Sequence, residues 1–82
     1  MTKDDHRRRF GNDLRKARKE EDLTQAEVAK TMGCIQAYVS QAERGLVNPP
    51  FDTLIRFAAA VGRRFDFKLT RPYRRRPPSR ET

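Results

Sequence analysis

A single cysteine, Cys34, and a single histidine, His6, are the only thiol and imidazole in this 82-residue sequence. Structural zinc is held mainly by such side chains, so no zinc site is expected, and no nucleophile with a base beside it is evident. No glycine-rich phosphate loop and no evident acid–base pair stands in for them. We therefore expect no enzyme and no cofactor. What the sequence does offer is positive charge: 19 Lys and Arg against 11 Asp and Glu give a net charge of +8. Such a balance favours an anionic partner, nucleic acid being the commonest. The charge is uneven. Residues 1–22 carry eight basic and six acidic side chains, residues 23–62 three of each, and residues 63–82 eight against two. A nearly neutral module thus lies between basic flanks. Solubility alone is the plainer account of those flanks, and the pattern inside the module has to decide between the two.

Stepping from charge to scaffold, the length suits one small domain whose core is marginal without support. One cysteine excludes an intramolecular disulfide. The N-terminus has no apolar signal-peptide core, and no run of about 18 apolar residues would cross a membrane. A cytoplasmic protein is expected. Residues 1–9 are polar and expected to be a flexible N-terminus. From Phe10, the positions Phe10, Leu14 and Ala17 recur at helical spacing, and this helix should stop near Asp22. Thr24 and Glu27 form a capping box that starts a second helix, with Ala26, Val28, Ala29 and Met32 apolar and Gly33 as its stop. A third helix runs from about Gln36 to Arg44, with Val39 and Ala42 inward and Gly45 after it. Asn48-Pro49-Pro50 then forces an extended link.

A fourth helix, about Phe51 to Val61, ends at Gly62. The period then changes: Phe65, Phe67 and Leu69 alternate with polar residues, which predicts a strand over 64–70. A lone strand leaves its backbone groups unpaired. Pairing with the same strand of a twin subunit would satisfy them and bury Phe65, Phe67 and Leu69; the alternative is that these residues fold back on the fourth helix. Residues 71–82, with five arginines and three prolines, are expected to be a disordered basic tail. The domain proper is thus 10–70.

Two short helices joined by a glycine-containing turn make a helix-turn-helix. Residues 23–45, LTQAEVAKTMGCIQAYVSQAERG, closely resemble that motif of the Cro/phage-repressor (XRE) family, with the capping box, turn glycine and core spacing in register. The resemblance extends from about Phe10 to Gly62. It implies an all-α, four-to-five-helix, lambda-repressor-like domain that places its second motif helix in the major groove. Base edges would then meet Gln36, Ala37, Ser40 and Gln41. Glutamine suits adenine N6 and N7, and an alanine methyl suits thymine. Phosphates would meet Gln25, Tyr38, Arg44 and Asn48, although Tyr38 is equally suited to packing; Arg15 or Lys16 are candidates by charge alone. Arg18 and Glu43 match a buried structural ion pair.

The sequence departs from the family at three places. Ile35 stands where Ser or Thr usually caps the recognition helix, Asp22 where glycine is common, and Ala42 where a larger aliphatic residue is usual. Cys34 takes an apolar position and reads as a small buried hydrophobe. FDFKL after Val61-Gly62 resembles the C-terminal strand of HipB-type antitoxins, which dimerise through it, repress their own operon and neutralise a toxin. The implied partners are a pseudo-palindromic double-stranded operator, a second copy and a toxin protein. A stand-alone repressor and a protein-interaction module that keeps the motif as scaffold are the alternatives, and the polar face of helix three speaks against the second.

Overall fold

The computed structural model describes residues 2–66 and 69, and comprises four helices: α1 (Lys3–Glu20), α2 (Gln25–Met32), α3 (Gln36–Glu43) and α4 (Phe51–Ala60). Three of these stand where the apolar periodicity puts them. The first is longer. Residues 3–9, expected as a flexible N-terminus, are its opening turns. The cause is a capping box absent from the sequence reading: Asp5 N–H donates to Thr2 Oγ1 at 3.2 Å, and Thr2 N–H donates to Asp5 Oδ2 at 3.1 Å. Asp4 and Asp5 also suit the positive end of the helix dipole.

The helix ends share one device. Each closes with a backbone bond running back over the last turn from the residue after a left-handed one, as in Leu23 N–H to Arg18 O at 3.0 Å and Cys34 N–H to Ala29 O at 3.0 Å. Asp22 fills the first of these left-handed positions at φ 57°, a conformation that a short polar side chain tolerates. This agrees with the expected stop of α1 without glycine.

The core is Leu14 and Ala17 from α1, Val28, Ala29 and Met32 from α2, Val39 and Ala42 from α3, Phe57 from α4, and Val61. Phe57 is fully buried. Phe10 meets it edge-on with ring centroids 6.2 Å apart, and Tyr38 stacks on it at 5.7 Å. Cys34 is half-buried against this cluster. Ala42, smaller than the residue usual there, is buried, and a groove between α1 and the link to α4 runs beside it, lined also by Phe10, Val47 and Leu54.

Of the strand expected over 64–70, residues 64–66 and 69 are described and are not in a strand, while residues 67, 68 and 70 lie outside the described residues. Phe65 instead packs edge-on against Phe10 and Phe51, each with centroids 5.9 Å apart. It thus folds back on α1 and α4. Leu69 is exposed, while Phe67 and the tail 71–82 lie outside the described residues.

Candidate nucleic-acid interface

Thr24 and Glu27 start α2 by reciprocal bonds, Glu27 N–H to Thr24 Oγ1 at 3.0 Å and Thr24 N–H to Glu27 Oε1 at 2.8 Å. The turn through Gly33 then delivers the chain to α3. Val39 and Ala42 bury one side of α3 in the core. At 100° per residue, Gln36, Ala37, Ser40, Gln41 and Arg44 fall within an arc of about 140° on the other side. All are exposed except Ser40, which is half-buried. The four expected base-facing residues therefore share one polar face. Ile35, immediately before α3, is 71% exposed, and α3 has no side-chain cap.

Beneath this face lies a bonded cluster that ties the three N-terminal helices together. Arg18 donates from Nε to Glu43 Oε2 at 2.6 Å and from Nη2 to Glu43 Oε1 at 3.1 Å. Its Nη1 reaches the Leu23 carbonyl at 2.9 Å. Both side chains are buried, so this is the expected structural pair in fork-to-fork geometry. The hydrogen bond that Arg18 donates to Glu43 holds its guanidinium above its ordinary pKa despite the opposing effect of burial. Gln25 Nε2 donates to the same Glu43 Oε1 at 3.0 Å. A residue expected at a phosphate is thereby held by its own fold, at the N-terminus of α2.

The remaining expected contacts separate. Arg44 is exposed beside Ser40 and Gln25, in one cleft. Asn48 is exposed in the link before α4, beside Val47 and Pro49. Tyr38 lies off the polar face of α3, with its ring on Phe57, which is the packing role.

The sequence reading named Arg15 by charge alone and missed the rest of α1's share of that cleft. Arg8, Asn12 and Arg15 line it opposite Ser40 and Arg44. They recur at i, i+4 and i+7, two residues out of phase with Phe10, Leu14 and Ala17, so the signal was present once the helix is extended to Lys3. The other missed residue is Gly11. It is buried where α1 crosses α3, and a Cβ there would lie 2.5 Å from the Ala42 carbonyl oxygen and 2.6 Å from that of Glu43. Only glycine allows helices that close.

The Helix-turn-helix family profile, HTH_3, matches residues 14–68. This chain belongs to the HTH_3 helix-turn-helix family. Among relatives, it is 41% identical over 58 residues to the uncharacterized HTH-type transcriptional regulator y4dJ of Sinorhizobium fredii, covering 71% of this chain and 75% of that protein. Among solved structures, it is similar to the restriction-modification controller protein C.AhdI of Aeromonas hydrophila. The TM-score is 0.65 at 30% identity, over 68% of this chain and 85% of the other. The HTH_3 assignment makes the chain a helix-turn-helix transcriptional regulator with an all-helical domain, in agreement with the resemblance read from residues 23–45. Among the described residues no helix is long and apolar enough to cross a membrane.

Proposed function

We propose that this HTH_3 protein is a repressor that binds a pseudo-palindromic operator as a homodimer, each copy laying α3 in a major groove. The observation that carries this reading is the solvent-facing side of α3, where Gln36, Ala37, Ser40 and Gln41 lie together opposite the core. Gln36 and Gln41 suit adenines, and Ala37 suits a thymine methyl. Gln25, Arg44 and Asn48 serve as phosphate contacts that fix the register. The exposed Phe51 and Ile55, one turn apart on α4 and continuous with Phe65, supply an apolar face for a second copy. Strand pairing through Phe65, Phe67 and Leu69 is the alternative form of the same dimer.

The test is binding to the DNA upstream of the protein's own gene against a scrambled duplex. Wild type should prefer the upstream duplex, and Gln41→Ala should lose about 1–3 kcal/mol on it and blur one base position. Equal binding to both duplexes would refute the reading. Ile55→Asp tests the α4 face and Phe67→Asp the strand, by sedimentation: the variant that yields monomers identifies the interface, and a dimer surviving both refutes it. The fold neighbour, a restriction-modification controller protein, favours a controller role for this chain. The antitoxin form of the proposal draws on FDFKL at 65–69 and requires a toxin that co-purifies with the chain.

A further inference from the structure

We propose that the first half of α1 is a second phosphate-binding element, in which Arg8, Asn12 and Arg15 grip the DNA backbone beyond the base pairs that α3 reads. The inference rests on the DNA-binding reading above and extends it to a helix that reading does not use. Arg8 and Asn12 lie upstream of the family match, which begins at residue 14.

Three observations carry it. The first is placement. Arg8, Asn12 and Arg15 face the same cleft as Gln25, Ser40 and Arg44, so a backbone strand that reached the second group would lie alongside the first. The second is charge. Glu43 is the one carboxylate lining the cleft, and both its oxygens are already engaged by Arg18, one of them also by Gln25. Arg8 has only an exposed, 3.6 Å contact with Asp5, too loose and too solvated to hold its charge from a phosphate. Arg15 and Arg44 have no carboxylate within ion-pairing distance among the described residues. The field in the cleft is therefore positive.

The third observation is construction. Gly11 lets α1 press on the last turn of α3, and at Gly45 the backbone meets Arg8, where a Cβ would come within 3.0 Å of the Arg8 Cα. These two contacts fix α1 against the end of the recognition helix, so the arginine row has a set position relative to the bases. Seven residues of helix separate Arg8 from Arg15 by about 10 Å, so the row is long enough to follow a backbone strand past neighbouring phosphates.

Salt dependence and chemically neutralised DNA test this together. Binding of wild type, Arg8→Gln, Arg15→Gln and the double variant is measured on the upstream and scrambled duplexes from 50 to 200 mM salt, with Arg64→Gln, from a different groove, as control. Each lost phosphate contact should flatten the log–log slope by about 0.9, so each single variant loses its share of salt sensitivity, a factor of about 3.5 over that range. The double variant should lose about twice that slope, equally on both duplexes, with sequence preference intact. Methylphosphonate at the flanking phosphates should weaken wild type and leave the double variant unchanged. Wild-type preference for the upstream duplex, with an unaltered slope in the double variant, would overturn the α1 element alone. A wild type without any preference would overturn the DNA-reading function and this inference with it.

Discussion

Replacing Gly11 by alanine sets two opposing effects against each other. Glycine inside a helix costs roughly 1 kcal/mol relative to alanine, so on an isolated α1 the change would be stabilising. In the folded chain the new methyl would meet the Ala42 oxygen at 2.5 Å, the Glu43 oxygen at 2.6 Å and the Glu43 carbonyl carbon at 2.8 Å. All three are backbone atoms at the end of α3, which is itself pinned by the Arg18 pair, so nothing can swing aside as a side chain would. Overpacking typically costs ~1–3 kcal/mol, and three simultaneous backbone clashes belong at or above the upper end. The net expectation is a loss of about 2 kcal/mol or more, or at least ~8–16 °C in Tm for a domain of this size. Urea denaturation followed by far-UV circular dichroism reads it, with an unchanged m-value as the sign that stability alone has moved. Gly33 is the control. There a Cβ meets nothing within 4 Å, but φ is +72°, so Gly33→Ala should cost ~1 kcal/mol through backbone strain. Asparagine, which tolerates that conformation, should restore part of the loss at 33 and worsen it at 11. A Gly11→Ala protein as stable as wild type would refute the argument that α1 and α3 touch through this residue.

Glu43→Ala strands the buried Arg18 and removes the acceptor of Gln25, so it should cost about 3–5 kcal/mol out of the ~4–12 expected for 82 residues. The double replacement Arg18→Met with Glu43→Leu should recover most of that, and a single variant that loses under 1 kcal/mol in denaturant titration would show the pair to be solvated. Ile35→Ser supplies the side-chain cap that α3 lacks and should stabilise the fold by about 1 kcal/mol, read as a raised denaturation midpoint; no gain would mean the exposed isoleucine packs in a way its exposure hides. The Thr2 backbone N–H, with the Thr2 hydroxyl second, holds the Asp5 carboxyl below its ordinary value of 3.8, so its contribution to α1 is present above that pH and is lost as pH falls through the lower folded value. Amide-exchange protection factors at residues 3–8 should fall on acidification through that window, and Asp5→Ala should abolish the change; an unaltered acid response in that variant would assign it elsewhere.

The motif was legible because local chemistry and global packing agree there. Thr24 and Glu27 cap, Gly33 turns, and Val39 and Ala42 bury at the spacing a helix demands, so one stretch of sequence specifies both the elements and their exposed face. The Arg18–Glu43 pair was available only through resemblance, since 25 residues separate partners that nothing local connects. What escaped is of two kinds. Residues 3–9 look like a charged, frayed end because hydrophobic periodicity is silent there, and the evidence for helix sits in a cap, Thr2 with Asp5, rather than in an apolar stripe. With the opening turns went Arg8 as a member of the row, while Arg15 was read from charge alone. At the other end, Phe65 alternates with polar neighbours as a strand residue would, yet its ring finds Phe10 and Phe51. Period-two patterning reports a half-buried extended segment and does not say what covers it. Tyr38 was ambiguous for a similar reason: a phenol is suited to either a phosphate or a ring, and only the position of Phe57 decides.

The single carboxylate shared by Arg18 and Gln25 bears on how such a protein diverges. Glu43 serves a structural cation through two bonds and the Gln25 amide through a third, so a change at any of the three positions alters the worth of the other two. A descendant that drops Glu43 keeps an arginine without a counter-charge and a glutamine without an anchor, and selection then acts on both at once. Positions 18, 25 and 43 should accordingly be inherited as a block, while 36, 37 and 41, exposed on the far side of α3, are free to drift toward new operators. The architecture separates what may vary from what may not by less than two turns of one helix, which is how a lineage of regulators can change its targets without risking its fold.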